Sequence, residues 1–150
     1  MSRVLVVEDD ALFRRALEDA LGDVGVEVVG TPSVKDARAE LARRARFALA
    51  LVDQYVADGT ALDLLPDLRT EGRAMPVVFL TAEPSVESAI AALRYGVVDY
   101  LIKPIDLDAL SRAIVDILAA EGAAVGGEAP AAVADVVARA ARVRAPVLLI

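Results

Sequence analysis

The sequence predicts an α/β domain built on a doubly wound parallel sheet. Short runs rich in Val, Ile and Leu alternate five times with segments of helical period. The runs are apolar almost throughout instead of at every second residue, as strands are when helices cover both faces of a sheet. With 150 residues, 57% of them hydrophobic, the chain has material for one such core and a short remainder, and none for a large multidomain enzyme.

The first strand is read at residues 3–8, an apolar run that ends in acids. Leu12, Phe13, Ala16, Leu17, Ala20 and Leu21 then recur at helical spacing up to Gly22, and Asp10 stands where a helix N-cap belongs. Residues 26–31 read as the second strand, and Pro32-Ser33 opens a helix carrying Val34, Ala37 and Leu41. Residues 47–52 are a fully apolar third strand, followed by a turn-rich stretch over 55–60 and a helix through Leu62, Leu65 and Leu68. The fourth strand is 76–81. Pro84-Ser85 then starts a helix with Val86, Ala89, Ile90 and Leu93, stopped at Gly96. Residues 97–102 form the fifth strand, and Asp106 caps a last helix with Leu107, Leu110, Ile114, Ile117 and Leu118 on one face.

Composition narrows the chemistry. There is no Cys and no His, which excludes thiol catalysis, disulfides, Cys/His zinc sites and any histidine acid or base. Net charge is −7 without a basic block, so this segment is not expected to contact nucleic acid directly. No apolar run reaches membrane-spanning length, and the N-terminus lacks a signal-peptide layout, so the chain reads as cytoplasmic with no membrane partner. Lys35 and Lys103 are the only lysines beside 14 arginines, which makes each worth examining.

A parallel sheet of this kind places its working residues at the carboxyl ends of the strands. Here the first strand ends in Glu8, Asp9 and Asp10, the third in Asp53, the fourth in Thr81, and the fifth in Lys103 followed by Pro104. Carboxylates gathered at one rim repel and raise one another's pKa, so they stay ionised together only beside a cation. Asp and Glu with backbone carbonyls suit a hard, oxygen-seeking ion such as Mg2+. A carboxylate beside such an ion can attack phosphorus and form an aspartyl phosphate, with Lys103 spreading the developing charge and Thr81 donating to a phosphoryl oxygen. Taken singly, each residue has a plainer use. Thr81 alone is a strand-end hydroxyl, Tyr100 a half-buried sheet residue, and Lys103-Pro104 a loop whose peptide bond is open to the cis form.

The series Val6-Val7-Glu8-Asp9-Asp10, Leu51-Val52-Asp53, Phe79-Leu80-Thr81-Ala82 and Asp99-Tyr100-Leu101-Ile102-Lys103-Pro104 strongly resembles the receiver domain of two-component response regulators. The resemblance covers about residues 1–121 and implies a flavodoxin-like (βα)5 fold with strand order 2-1-3-4-5, an order for which a member of this family is a standing example. It implies Asp53 as phosphoacceptor, Asp9 as a direct Mg2+ ligand, Glu8 as an acid acting mainly through water, and the Tyr55 backbone carbonyl as a third protein ligand, with Mn2+ as an alternative metal. Thr81 and Lys103 would bind the phosphoryl group, and Tyr100 matches the aromatic switch coupled to the threonine. The loop after Asp53 departs from the pattern, with Ala57 where many relatives carry proline and Ala61 where they carry glycine; Gly59 remains. Tyr55 and Glu83 stand at positions that tune acyl-phosphate lifetime in relatives.

Beyond the receiver-like part, residues 122–128 read as a small-residue linker. Residues 129–150 read as the incomplete start of a C-terminal output domain, with Val133, Val136, Val137 and Ala140 at helical period and a closing apolar run to Ile150. The stretch from Val125-Gly-Gly-Glu-Ala-Pro130 through Pro146-Val-Leu-Leu-Ile150 resembles the entry into the AAA+ module of sigma-54-dependent (NtrC-type) transcription activators, ahead of the Walker A loop, and no such loop occurs in the sequence.

The expectation is therefore a phosphorylation switch and not an enzyme beyond its own phosphorylation and dephosphorylation. Its partners would be a sensor histidine kinase, its own output domain, and a second copy through the face of the fourth helix, fifth strand and fifth helix or through the linker. Two other readings remain at this point. One is a Mg2+-dependent aspartyl-phosphate phosphohydrolase, which would want a second acid two residues beyond the nucleophile, where Asp53-Gln54-Tyr55 has none. The other is a receiver-like binding module that is not phosphorylated.

Overall fold

The computed structural model describes residues 2–43, 46–68 and 75–123. The expected linker beyond residue 123 and the expected output segment lie outside the described residues. Strands β1 (Arg3–Val7), β2 (Glu27–Thr31), β3 (Leu49–Asp53), β6 (Val77–Thr81) and β7 (Asp99–Ile102) form one parallel sheet in the order β2-β1-β3-β6-β7. Counted along the sheet strands alone, that is the expected 2-1-3-4-5. The order reverses between β1 and β3, where the chain passes first to one side and then to the other.

Each strand alternates its side chains between two cores. Leu5, Val7, Ala50, Val52, Val77, Phe79 and Tyr100 enter the core shared with α2 (Val34–Ala42), α3 (Ala61–Leu68) and α4 (Val86–Arg94). Val4, Val6, Leu49, Leu51, Val78, Leu80 and Leu101 enter the other, with Leu17 and Leu21 of α1 (Ala11–Asp23) and Leu110 and Ile114 of α5 (Leu107–Ala123). Continuous apolar strands follow from this two-sided burial.

Helix starts match the residues that cap them. Asp10 accepts the Leu12 and Phe13 amides, Ser33 the Asp36 amide, Ser85 the Ser88 amide and Asp106 the Asp108 amide. Two helix ends turn on glycines in the left-handed region. Gly25 (φ 84°) lets the Val26 amide reach the Leu21 carbonyl after α1, and Gly96 (φ 69°) does the same for Val97 and Ala92 after α4. The first helix thus runs past Gly22, because the left-handed residue that ends it is Gly25.

Two features go beyond what the periodic pattern shows. The turn-rich stretch contains a two-stranded antiparallel hairpin, β4 (Tyr55–Val56) with β5 (Gly59–Thr60), whose strands are too short to show any period. In α4 the periodic Ile90 and Leu93 are exposed, at 40% and 37%, while Ser88, Ala89 and Ala92 face the core. Ala89 and Ala92 share one buried cluster with the bulky Tyr100 of β7, and Ser88 meets its hydroxyl.

Candidate functional site

Register brings the functional residues level before any side chain acts. Val7 pairs with Val52, Asp53 with Leu80, and Thr81 with Ile102, so four strand ends meet at one rim. The backbone ladder continues one step further. Glu8 N donates to Thr31 O (2.9 Å), Gln54 N to Leu80 O (2.8 Å) and Lys103 N to Thr81 O (2.8 Å).

At that rim the Lys103 ammonium bridges two buried acids. Its Nζ lies 2.6 Å from Glu8 Oε1 and 3.0 Å from Asp53 Oδ2, and 4.7 Å from the centre of the Phe13 ring. The second Glu8 oxygen accepts the Asp10 amide at 3.1 Å, and Asp53 Oδ1 accepts the Tyr55 amide at 3.3 Å. Arg14 donates to the Glu8 carbonyl at 2.7 Å. Oxygens of Glu8, Asp9 and Asp53 lie within 4.8 Å of one another; Glu8 and Asp53 are buried and Asp9 faces solvent. One open and two sheltered carboxylates, all hard oxygen donors, fit a divalent cation.

The charges are unequally settled. Burial pushes the Glu8 carboxyl above its usual range; Lys103 and the Asp10 amide pull it down, and neighbouring Asp53 pushes it further up. Burial also opposes the Lys103 ammonium, yet hydrogen bonds to Glu8 and Asp53 outweigh it, and its pKa rises. A single ammonium faces a rim of three acids, so the cluster has surplus negative charge for a cation to offset.

The other expected residues are placed close by but are not all joined to this group. Thr81 is buried and its Oγ1 accepts the Glu83 amide at 3.0 Å; it has no hydrogen bond to Asp53. Tyr100 is fully buried on the α4 side, its hydroxyl hydrogen-bonded to Ser88, which in turn donates to the Ser85 carbonyl. The Tyr55 ring is half exposed. Lys103-Pro104 is cis. Neither apolar period nor strand-end position singles out Ser88, the partner of Tyr100, or Asp58, whose carboxylate caps α2. A serine in an apolar period was the available signal for the first; nothing local signals the second.

A response regulator receiver domain matches residues 4–115. The chain belongs to that family. This receiver is 36% identical over 116 residues to the response regulator protein PilR of Pseudomonas aeruginosa, covering 77% of this chain and 26% of that protein. It matches the transcriptional regulatory protein ZraR of Salmonella typhimurium equally, at 36% over 116 residues, with 77% and 26% covered. These are NtrC-type regulators, and the receiver spans about a quarter of their length. Among solved structures, a receiver protein from Pseudomonas putida aligns at TM-score 0.71 with 33% identity, covering 77% of this chain and 96% of that one. A CheY-like receiver from Methanospirillum hungatei JF-1 aligns at 0.74 with 25% identity, covering 79% and 94%. The receiver's fold, with its sheet order, is thus the flavodoxin-like one expected, and its relatives are two-component and transcriptional regulators. Among the described residues no helix is long and apolar enough to cross a membrane.

Proposed function

We propose that Asp53 accepts a phosphoryl group from the phosphohistidine of a sensor histidine kinase. The observation that carries this reading is the shared grip of Lys103 on Asp53 and Glu8 at the sheet's reversal point, with Asp9 alongside. An Asp53 oxygen attacks phosphorus, the P–N bond breaks, and its electron pair leaves with the partner's imidazole. Lys103 then exchanges its contact with the carboxylate for a phosphoryl oxygen. The Thr81 hydroxyl, already accepting from Glu83, has its own proton to donate.

Glu8, Asp9, Asp53 and the Tyr55 carbonyl would hold Mg2+, or Mn2+ in its place. When bound, the metal neutralises charge on the phosphoryl oxygens and acids. Activity on this reading is confined to the receiver's own phosphorylation and dephosphorylation. The signal passes from Thr81 through Tyr100 to the face of α4, β7 and α5, where a second copy or the output region docks. Residues 1–121 form the receiver, 122–128 the linker, and 129–150 the start of an AAA+-like transcription-activating output; the protein works in the cytoplasm.

Incubation with acetyl phosphate and Mg2+ should add one phosphoryl mass to the chain, and Asp53→Asn should abolish the gain. Equal incorporation by both proteins overturns the assignment. The phosphohydrolase alternative is disfavoured by position 55, which presents a half-exposed phenol where that chemistry wants an acid.

A further inference from the structure

The hairpin that follows Asp53 is fastened from outside the site. Asp58, between β4 and β5, reaches across to α2, where its Oδ1 accepts the Val34 amide at 2.8 Å and its Oδ2 the Lys35 amide at 3.0 Å. These open the helix and have no partner within it. The hairpin cannot hold its own shape, since each strand is two residues long. It is also pressed against α2: a Cβ on Gly59 would stand 3.3 Å from Val34 Cγ2 and 2.9 Å from Asp63 Oδ2. The polar contacts close a ring. Thr60 N donates to Asp63 Oδ2 (2.9 Å), and Arg38 of α2 donates to the Asp63 carbonyl (3.0 Å) and Asp67 (2.9 Å).

We propose that Asp58 is a positioning residue for the acceptor site. By tying the hairpin to the first turn of α2, it fixes the backbone at Tyr55, three residues upstream, whose carbonyl would serve as a Mg2+ ligand. This rests on the metal site proposed above and adds to it a support that touches no reacting atom.

The test uses the full chain and Mg2+ alone, titrated by calorimetry, with thermal melts alongside. Asp58→Ala should weaken Mg2+ binding about 10-fold, the scale at which outer supports of metal ligands act. Asp58→Asn keeps one carbonyl acceptor and should recover part of that loss. Val34→Pro deletes one donor at a position where proline suits a helix, after a Ser33 already extended at φ −152°, ψ 163°. Its effect should be less than additive with Asp58→Ala, because both break one contact. Ser85→Ala, which removes a helix cap elsewhere, should leave the Mg2+ Kd unchanged. In metal-free protein, Asp58→Ala should speed amide exchange at residues 55–60.

Should Asp58→Ala fail to fold, Asp58→Asn and Val34→Pro carry the test. Wild-type Mg2+ affinity in folded Asp58 variants overturns the positioning role. An equal loss in Ser85→Ala overturns it too, since the effect would then follow stability. Absence of Mg2+ binding by the wild type overturns the metal site itself, and the exchange measurement still reports whether the hairpin is tied down.

Discussion

Lys103 is the residue on which the site's charge balance depends. Replacing it with Met leaves Glu8 and Asp53 buried without a counter-charge, and removing one partner of a buried pair costs more than the pair contributes. Because the ammonium is partly exposed, Lys103→Met should cost about 2 kcal/mol at pH 7 in chelated protein, measured by urea unfolding. The Glu8 carboxyl is raised in the folded state, so its contribution is fully present below about 4.5 and is lost as pH rises through the raised value. Lys103→Met should therefore regain stability as pH falls from 7 toward 5, and a deficit independent of pH would refute the pairing. Tyr100 and Ser88 make a second residue-scale test. Ser88→Ala strands a buried phenol hydroxyl and should cost about 1–3 kcal/mol, whereas Tyr100→Phe leaves Ser88 its bond to Ser85 and should cost nearer 1. Equal costs would mean that the phenol finds another partner. The carboxylates, Thr81 and Lys103 were legible because strand-end position is readable from the apolar runs. Ser88 was not, because a serine on the inner face of a helix shows its purpose only once Tyr100 lies opposite.

Among the elements, long segments with caps were readable and short ones were not. The five sheet strands and five helices follow from period, helped by Asp or Ser starts at four helices and glycine ends at two, with boundaries shifted by a residue or two. The β4–β5 hairpin escaped because two-residue strands have no period, and the apolar period does not mark α4's inner face because that face is lined with Ala and Ser. The α2 N-terminus yields a pH test of its own. Two backbone amides, first Val34's and then Lys35's, hold the Asp58 carboxyl below its usual value, so its contribution is present above 3.8 and fades as pH drops through the lowered one. The stability gap between wild type and Asp58→Asn should therefore narrow on acidification below pH 4, and parallel unfolding curves would refute the cap's ionic character.

For the whole molecule, the sheet couples two cores, and a defect in either should be felt throughout. Leu51→Ala, on the central strand, should cost about 2–5 kcal/mol in a single cooperative transition. A cation bound only by the folded state raises stability by mass action, about 2.7 kcal/mol at a hundredfold excess over Kd. Mg2+ should therefore raise the Tm of the wild type and leave Asp9→Asn unchanged; equal shifts would place the ion elsewhere. The ammonium that settles the acids lies 95 residues after Glu8 and 50 after Asp53. The two acids and the ammonium therefore come together only once β1, β3 and β7 share one sheet. The last sheet strand in the sequence thus completes the cluster, and a chain cut before β7 would keep both acids and lose the ammonium they share.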